Sequence, residues 1–369
     1  MIVQAAIIHP GEKEFRLERA RLDEPRADEI LVRMLATGIC HTDLKALEPT
    51  SIVPRPVVLG HEGAGIVERI GSGVTDFTIG DHVVMTVNSC GQCRSCREHE
   101  PAYCADLGPR NFGGRRTDGS SPLSRGDGGS AQLFGNFFGQ SSFGTHAISN
   151  IRNTVKVPKR LPLKSLAPLG CGIQTGAGSV LNVFKPRIGQ SLVVFGTGAV
   201  GLSAILAARL MPTRPIIAVD LLPERRKLAL ELGADHALDP QTEDVAQAIR
   251  DLTDGGADFT LDTTGNAQVI QQAFASLAPR GTCGVLATPI HQKEIAFAIS
   301  HFVMGGRQLQ GIIQGGSDPK NFIPQMIALH EQGRFPFDRL ITYYSFAEIN
   351  RACADAASGA AIKPVLLFD

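Results

Sequence analysis

Four cysteines fall within a stretch of fifteen residues, so disulfide bonds, metal binding and redox chemistry are the first chemistries to consider. In a small secreted protein this density would predict disulfides, whereas in a long chain kept in a reducing compartment it more often predicts a metal site. Four thiolates can surround one zinc ion tetrahedrally and leave no position for water, which is typical of a structural site. Coincidental clustering and redox chemistry are the alternatives. The residues are Cys90, Cys93, Cys96 and Cys104.

Three further residues of ligand type are dispersed along the chain: Cys40, His61 and Cys171. A catalytic zinc needs three protein ligands and one open position, and a Cys–His–Cys set would supply them. Asp43 and Glu62 are nearby acids that could orient His61 or tune the metal. Spacing alone does not join the three residues, because a single Cys or His is more often a core or surface residue than a ligand.

A glycine-rich segment with the pattern G-x-G-x-x-G occupies 196–201, directly after a short apolar run and directly before a helical pattern. In this context the pattern predicts a dinucleotide-binding turn with the pyrophosphate at the helix N-terminus. Gly196 allows the tight turn, Gly198 lets the backbone approach a pyrophosphate, and Gly201 lets the helix pack closely on the strand. A purely structural glycine turn is the alternative.

Asp220 ends the next apolar strand pattern. A carboxylate there is expected to accept hydrogen bonds from the adenosine ribose and to repel a 2′-phosphate, so NAD is favoured over NADP. Arg225 and Arg226 follow closely and could attract that phosphate, which leaves NADP open.

The elements around these residues are of two kinds. Beyond residue 190, strands alternate with helices, which predicts an α/β fold with a parallel sheet covered on both faces. The first 150 residues show short strands and many Gly and Pro turns, which predicts a separate β-rich domain. A Gly-, Ser- and Arg-rich stretch, 111–132, is expected to be a mobile surface loop. The predicted strands are 1–8, 191–195, 216–220, 258–262 and 281–286, and the predicted helices are 202–209, 224–232 and 267–277.

Composition excludes several classes of protein. Lys plus Arg and Asp plus Glu both number 36, so no bulk positive charge favours nucleic acid as a partner. Apolar residues make up 43% of the chain, which allows a sizeable core and excludes disorder over the whole length. The uncharged stretch 188–208 could span a bilayer, but its glycines favour a strand, a turn and a helix. The apolar start is short and lacks a leading positive region, so we expect a cytoplasmic protein.

Taken in order, these motifs resemble those of the zinc-dependent medium-chain alcohol dehydrogenases. The resemblance covers nearly the whole chain, and its combination of motifs is highly specific. It rests on residues 38–43, residues 60–65, the four-cysteine stretch, residues 170–171 and residues 196–201.

The resemblance implies a GroES-like, β-rich catalytic domain over 1–172 and 313–369, with a structural zinc lobe near 88–106. A Rossmann domain with a doubly wound parallel sheet would occupy 173–312. The active site would lie in the cleft between the domains. The family also implies two zinc ions per subunit, NAD as cofactor, and a homo-oligomer, either a dimer or, slightly favoured, a tetramer.

The same resemblance assigns roles to single residues. Those at the catalytic zinc are Cys40, His61 and Cys171 as ligands, Glu62 as an outer or transient ligand, Asp43 as the partner of the His61 ring, and Thr42 as the acceptor of the substrate proton. Those at the cofactor are His41, Thr175, Gly196, Gly198, Val200, Gly201, Asp220, Arg225 and Lys363. Lys45 stands where the family often has a histidine that ends the proton relay, so the route of proton exit is open.

Within the family, the runs 137–143 and 170–178 look like those of bacterial aryl (benzyl) alcohol dehydrogenases. The substrate would then be a primary aromatic or allylic alcohol, oxidised to the aldehyde with hydride transfer to NAD+. The expected pocket residues are Thr86, Phe137, Phe138 and Leu286. The alternatives are a terpene alcohol dehydrogenase of geraniol or perillyl type, a thiol-adduct formaldehyde dehydrogenase, and a non-enzymatic NAD- and zinc-binding protein.

Overall fold

The computed structural model of this chain describes residues 1–126, 132–287 and 294–368. The chain divides into two compact units. Unit 1 comprises Met1–Gly172, Asp318–Ile327 and Asp338–Asp369, and unit 2 comprises Ile173–Ser317 and Ala328–Phe337. Unit 1 is therefore discontinuous in sequence. The exact domain boundaries given above stay a prediction.

Strands dominate the first 160 residues, as the turn-rich sequence predicts. Within the described ranges, the strands in chain order are β1 (Ile2–Ile8), β2 (Arg16–Leu22), β3 (Glu29–Gly38), β4 (Val57–Val58), β5 (Gly63–Ile70), β6 (His82–Met85), β7 (Leu123–Arg125), β8 (His146–Asn150), β9 (Thr154–Lys156), β10 (Leu192–Phe195), β11 (Ile216–Val219), β12 (His236–Leu238), β13 (Ala257–Asp262), β14 (Leu277–Val285), β15 (Gln308–Gly311), β16 (Ile341–Ser345) and β17 (Lys363–Leu367).

The helices before residue 172 are short, and the longer ones follow it. In chain order they are α1 (His41–Ala46), α2 (Arg94–Arg97), α3 (Leu107–Phe112), α4 (Leu163–Leu166), α5 (Gly172–Gly178), α6 (Ala199–Ala208), α7 (Pro223–Leu232), α8 (Val245–Leu252), α9 (Ala267–Ala275), α10 (Ile299–Gly305), α11 (Pro319–Glu331) and α12 (Ile349–Ser358). Of the helices described, none has the length and apolar character to cross a membrane.

Unit 1 is built from two sheets. The smaller has the order β4-β1-β2-β7, and the larger has the order β16-β17-β3-β5-β6-β9, with β8 also paired to β3. β3 is the centre of the larger sheet, and its Ile30, Leu31 and Val32 are buried, so both of its faces are covered. β17, from the end of the chain, runs antiparallel to β3. This pairing carries the last segment to the place where β3 ends.

Unit 2 contains a six-stranded sheet with the order β12-β11-β10-β13-β14-β15. All of its strand pairs are parallel. β10 is a run of four buried apolar residues, as expected for a strand covered on both faces. The strand order reverses between β10 and β13, and in open parallel sheets ligands bind outside the carboxyl ends of the strands at this point. The predicted Rossmann sheet is confirmed.

Among the described residues, the predicted surface loop over 111–132 agrees with the structure only around residues 117–119, which are exposed and lie in a turn. Asn111 is fully buried in α3, and β7 occupies 123–125. The Arg116 side chain is buried because its guanidinium donates two hydrogen bonds to the Glu29 carboxylate, at 2.6 and 2.9 Å. A paired guanidinium can be buried where an unpaired one cannot. The rest of the predicted loop, 127–131, lies outside the described residues.

Candidate functional site

Side chains from three distant segments converge in unit 1. One ligand atom from each of Cys40, His61, Glu62 and Cys171 lies within 4.8 Å of all the others. His61 and Glu62 are fully buried, and Cys171 is 8% exposed. The structure thus brings together the dispersed Cys–His–Cys set that spacing alone could not join.

Two antiparallel strands place the first two of these segments side by side. β3 ends just before Cys40, and β5 begins just after Glu62. Thr37 of β3 lies opposite Gly63 of β5, so the residues that flank these strand ends are neighbours. Cys171 reaches the same place after a short 3-10 turn.

Asp43 ties the two segments to each other. Its Oδ2 accepts a hydrogen bond from the Cys40 backbone N–H at 2.9 Å, while its Oδ1 accepts from the Gly60 N–H at 3.1 Å and from His61 Nδ1 at 3.0 Å. Burial lowers the pKa of His61, but the Asp43 charge and hydrogen bond outweigh it and raise that pKa to about 10. With Nδ1 held by Asp43, Nε2 faces the cluster.

The donor atoms fit a zinc ion. His61 Nε2 is buried and has no hydrogen-bond partner among the described residues, and an unpartnered buried polar atom is unfavourable unless a ligand satisfies it. A hydrogen bond from the Cys171 thiol lowers the pKa of Cys40 well below its ordinary value, despite burial. The thiolate is the form that binds metal. Cys40, His61 and Cys171 match the Cys2His set of catalytic zinc sites.

Glu62 is engaged by Lys363 of β17. Lys363 Nζ lies 2.7 Å from Glu62 Oε1 and 2.6 Å from Oε2, and it also donates to the Ile39 carbonyl at 3.1 Å. Burial lowers the pKa of Lys363, but the Glu62 carboxylate outweighs it and raises that pKa. Lys363 is only 2% exposed. Its predicted contact with the cofactor therefore stays a prediction, and the contact that the structure gives it is with Glu62.

Thr42 and His41 open helix α1 beside the cluster. Thr42 Oγ1 lies 3.8 Å from Cys40 Sγ, and its side chain is partly exposed, as a residue that exchanges a proton with substrate would require. His41 is exposed, which leaves its ring accessible. Neither predicted role is tested by these positions.

Two phenylalanine rings contact the His61 imidazole, and a third packs against one of them. The Phe138 ring stacks on the imidazole, with ring centroids 4.5 Å apart and planes 30° apart, and Phe137 meets the imidazole edge-on at 5.7 Å. Phe112 packs edge-on against Phe138 at 5.1 Å. Phe137 and Phe138 are both buried. Thr86, the other pocket residue predicted in this unit, is buried, and its hydroxyl donates to the Gly170 carbonyl at 2.6 Å.

The four clustered cysteines form a second set, with one sulfur from each within 4.8 Å of all the others. Backbone N–H groups point at these sulfurs: that of Cys93 at Cys90 Sγ (3.2 Å), that of Cys90 at Cys104 Sγ (3.2 Å), and that of Ala105 at Cys93 Sγ (3.5 Å). The N–H of Ala105 lowers the pKa of Cys93 to about 6, which favours a thiolate. Burial raises the pKa of Cys96 and Cys104, so these two thiols need a cation to ionise. Four convergent sulfurs, three of them facing N–H donors, fit a closed zinc site.

The glycine-rich turn in unit 2 joins β10 to α6. Gly196 has φ +85°, and a Cβ there would lie 2.6 Å from Thr263 Oγ1. A Cβ at Gly201 would lie 2.0 Å from the Gly196 carbonyl oxygen, so α6 packs close to the turn. A Cβ at Gly198 would meet nothing within 4 Å, so open space lies at the α6 N-terminus, where a pyrophosphate would bind.

Asp220, just after β11, faces this turn. Its Oδ2 accepts hydrogen bonds from the Thr197 N–H at 2.6 Å and the Thr197 hydroxyl at 2.8 Å. Arg225 Nη1 lies 4.0 Å from Oδ2, and Arg225 Nε is buried without a hydrogen-bond partner among the described residues. Arg226 instead pairs with Asp239 at 2.8 Å. Arg225 is thus the arginine available to a ligand at Asp220.

Three residues of unit 2 that were predicted to contact cofactor or substrate lie near this turn or at the end of a neighbouring strand: Thr175, Val200 and Leu286. Thr175 is on α5, and the next residue, Gly176, packs so closely on α6 that a Cβ there would lie 2.0 Å from the Val200 carbonyl oxygen. Leu286 follows β14, and its N–H donates to the Asp262 carbonyl. Their predicted contacts with cofactor or substrate remain predictions.

Gln140 is a residue that the sequence analysis missed. Its Nε2 donates to the carbonyls of His61 at 3.0 Å and Thr86 at 3.2 Å, and its Oε1 accepts from the Gly63 N–H at 3.1 Å. It fixes the backbone on both sides of the His61–Glu62 pair. A long amide between phenylalanines in the run 137–143 was the available signal, because a polar side chain in such a run must find buried partners.

Comparison with known proteins identifies the family. The alcohol dehydrogenase GroES-like domain matches residues 26–159, and the zinc-binding dehydrogenase domain matches residues 199–332. The geraniol dehydrogenase of Castellaniella defragrans is 46% identical over 99% of this chain and 97% of its own length.

Two solved structures resemble this chain over its full length. The benzyl alcohol dehydrogenase of Acinetobacter calcoaceticus is 41% identical, with a TM-score of 0.96 over 100% of both chains. An alcohol dehydrogenase zinc-binding domain protein of Burkholderia ambifaria is 47% identical, with a TM-score of 0.97 over 100% of this chain and 99% of that one. The chain therefore belongs to the zinc-binding medium-chain alcohol dehydrogenase family and is a zinc-dependent alcohol dehydrogenase.

Proposed function

We propose that this enzyme oxidises primary alcohols whose carbinol carbon is bonded to an sp2 carbon, with benzyl alcohols first, to the aldehydes, and passes the hydride to NAD+. The observation that carries the substrate class is the group of phenylalanines at the His61 imidazole. Relatives named for benzyl alcohol and for geraniol both support it. Geraniol is an allylic alcohol, so a terpene alcohol is the second candidate.

Cys40, His61 and Cys171 would hold the catalytic zinc, and Cys90, Cys93, Cys96 and Cys104 would hold the structural one. When bound, the catalytic zinc supplies Lewis acidity toward an alcohol oxygen, and NAD+ supplies the hydride acceptor. The chain's own residues do the rest. Asp43 holds Nδ1 of His61 and so decides which edge of the ring faces the cluster. Thr42 accepts the alcohol proton at its hydroxyl oxygen as its own hydroxyl proton passes outward, and the phenylalanines keep water from the imidazole.

NAD is proposed as the cofactor because the turn at Gly196–Gly201 ends in open space and Asp220 stands beside it. The Asp220 carboxylate would accept hydrogen bonds from the ribose hydroxyls. Lys45 lies on α1, three residues after Thr42. The catalytic domain is proposed to comprise 1–172 and 313–369, and the cofactor domain 173–312.

A substrate panel tests the proposed class. We expect kcat/KM for benzyl alcohol to exceed that for ethanol by at least about tenfold, since an apolar site gains roughly 25 cal/mol per Å2 of ligand surface buried. A small alcohol would also hold its reacting carbon poorly and lose rate. Benzyl, cinnamyl, geranyl and ethyl alcohols and a thiol adduct of formaldehyde are compared by initial rates of NADH formation.

Each outcome of the panel is informative. Preference for geraniol over benzyl alcohol would select the terpene candidate, and activity only with a thiol adduct of formaldehyde would select that alternative. Ethanol performing as well as benzyl alcohol would reject the substrate class. No NADH formation with any alcohol would reject the proposed reaction.

Asp220→Gly tests the cofactor proposal. Because the substitution removes a charged acceptor of ribose hydrogen bonds and leaves Arg225 facing the site, the NAD+/NADP+ ratio of kcat/KM is expected to fall by about tenfold to hundredfold. Thr197→Val is the matched control, since it removes one hydrogen bond to Asp220 but keeps the charge. A wild-type ratio in Asp220→Gly would show that Asp220 does not face the ribose.

We further propose that the protein is a homo-oligomer, a dimer or a tetramer, in which copies associate through the β15 edge of unit 2. All four residues of β15 are exposed. The neighbouring α10 exposes Ile299, Val303 and Met304 at 75%, 74% and 87%. An exposed sheet edge is a favoured site of strand pairing between chains, and the apolar side chains of α10 would be buried by the same contact. Sedimentation of the wild type should give a multiple of the chain mass, and Val303→Asp should lower it.

A further inference from the structure

Phe138 has a backbone conformation that phenylalanine rarely adopts. Its φ and ψ are +52° and +31°, in the left-handed region, inside the short 3-10 turn Phe137–Gly139. The turn is held from outside, because Asn153 Nδ2 donates to the Phe138 carbonyl at 3.1 Å, and the Ser141 hydroxyl donates to the Val58 carbonyl at 2.6 Å. Strained conformations of this kind persist where the surroundings enforce them, and they cluster at functional sites.

The result of this conformation is the position of the Phe138 ring on the face of His61. The centroids are 4.5 Å apart and the planes 30° apart. Phe112 packs edge-on against Phe138, with ring centroids 5.1 Å apart. Asp43 holds only one edge atom of the imidazole, Nδ1, so it permits the ring to rock about that hydrogen bond.

We propose that Phe138 is a positioning residue, whose ring restrains the His61 imidazole so that Nε2 stays directed at Cys40 and Cys171. This inference rests on the proposed role of His61 as a zinc ligand. A face-on contact removes the rocking motion that the Asp43 hydrogen bond leaves free. The negative face of a phenyl ring attracts the positive charge of a metal-bound imidazole, so the contact is favourable in the holoenzyme.

The test compares zinc retention in variants of position 138. Phe138→Leu keeps an apolar side chain of similar size and the same backbone strain but removes the aromatic face, whereas Phe138→Tyr retains the face. Holoenzyme is treated with excess dipicolinate, and zinc release is followed. The zinc of interest is the one at the His61 site, identified as the ion that His61→Gln lacks. We expect release from Phe138→Leu to be about tenfold faster than from wild type, and release from Phe138→Tyr to be close to wild type.

Phe346→Leu is the matched control for a lost buried ring. Phe346 is 7% exposed, against 5% for Phe138, and it packs on Phe368 at a centroid distance of 4.5 Å, outside the ligand cluster. It should lower the melting temperature about as much as Phe138→Leu and leave zinc release unchanged. Should Phe138→Leu fail to fold, Phe138→Met provides the same comparison, and the visible spectrum of the cobalt-substituted enzyme reports ligand geometry independently.

The outcomes separate this inference from the proposed function. Wild type with a single zinc, or His61→Gln that keeps two, would overturn the proposed ligand set and this inference with it. Two zinc ions in wild type with unchanged release from Phe138→Leu would overturn only the role of Phe138. A changed ratio of benzyl alcohol to ethanol turnover without a change in zinc release would show that Phe138 contacts substrate and does not position His61.

Discussion

Cys171→Ser is expected to lower kcat/KM for every alcohol by at least about a thousandfold while the chain stays folded. The side chain is 8% exposed, and serine is nearly isosteric, so neither packing nor backbone requires the sulfur. What the substitution removes is a soft ligand from a set whose remaining members are Cys40 and His61. A catalytic site with an open position contributes chemistry more than folding free energy.

Metal analysis and circular dichroism accompany the kinetics. We expect one zinc per chain in Cys171→Ser against two in the wild type, with unchanged secondary structure. Cys353→Ser, another buried cysteine that belongs to neither cluster, is the control and should keep both zinc ions and its activity. Full activity in Cys171→Ser would contradict the proposed ligand set, and one zinc or none in the wild type, purified without chelators, would contradict the two-zinc proposal.

Cys93→Ser is expected to lower the stability of the folded protein. The lobe around the four sulfurs is polar and has only a few buried residues, so the metal would replace a hydrophobic core there. Losing one of four thiolates is expected to cost about 4 kcal/mol or more of the free energy of unfolding, the range in which loss of a structural metal falls. The measurement is the denaturant midpoint, together with the yield of soluble protein.

Ser95→Ala is the control for Cys93→Ser, since it changes the same lobe without touching a sulfur. It should leave the midpoint within experimental scatter. If Cys93→Ser kept both its zinc and its midpoint, the four cysteines would not be a structural metal site.

The sequence predicted well those features that are formed by residues adjacent in the chain. The glycine-rich turn, the strand before it and the strand after it each depend on a few adjacent residues, and β10 and β11 lie within one residue of the predicted bounds. The four cysteines are local for the same reason. Helix α9 was predicted to extend to 277 but ends at Ala275, because Leu277 already pairs with Ala257 of β13.

Contacts between distant segments were not readable from residues alone. Cys40, His61 and Cys171 could be joined only through family resemblance, since their spacing in the sequence does not show that their three segments meet in the fold. Lys363 was assigned to the cofactor, which stays a prediction, and its buried ion pair with Glu62 was not predicted. A lysine that opens an apolar run was the available signal, because such a charge must find a partner when it is buried.

The discontinuity of unit 1 has a consequence for synthesis on the ribosome. Residues 173–317 of unit 2 emerge as one segment, and their parallel sheet can form while later residues are still being added. The larger sheet of unit 1 cannot be completed then, because its strands β16 and β17 follow unit 2 in the chain. Until β17 arrives, the end of β3 that it covers, residues 36–38, lacks this partner, and the Glu62 carboxylate lacks the ammonium of Lys363 that balances its charge. The nascent amino-terminal segment is therefore the part exposed to aggregation until the residues of β16 and β17, which follow unit 2 in the chain, have been added.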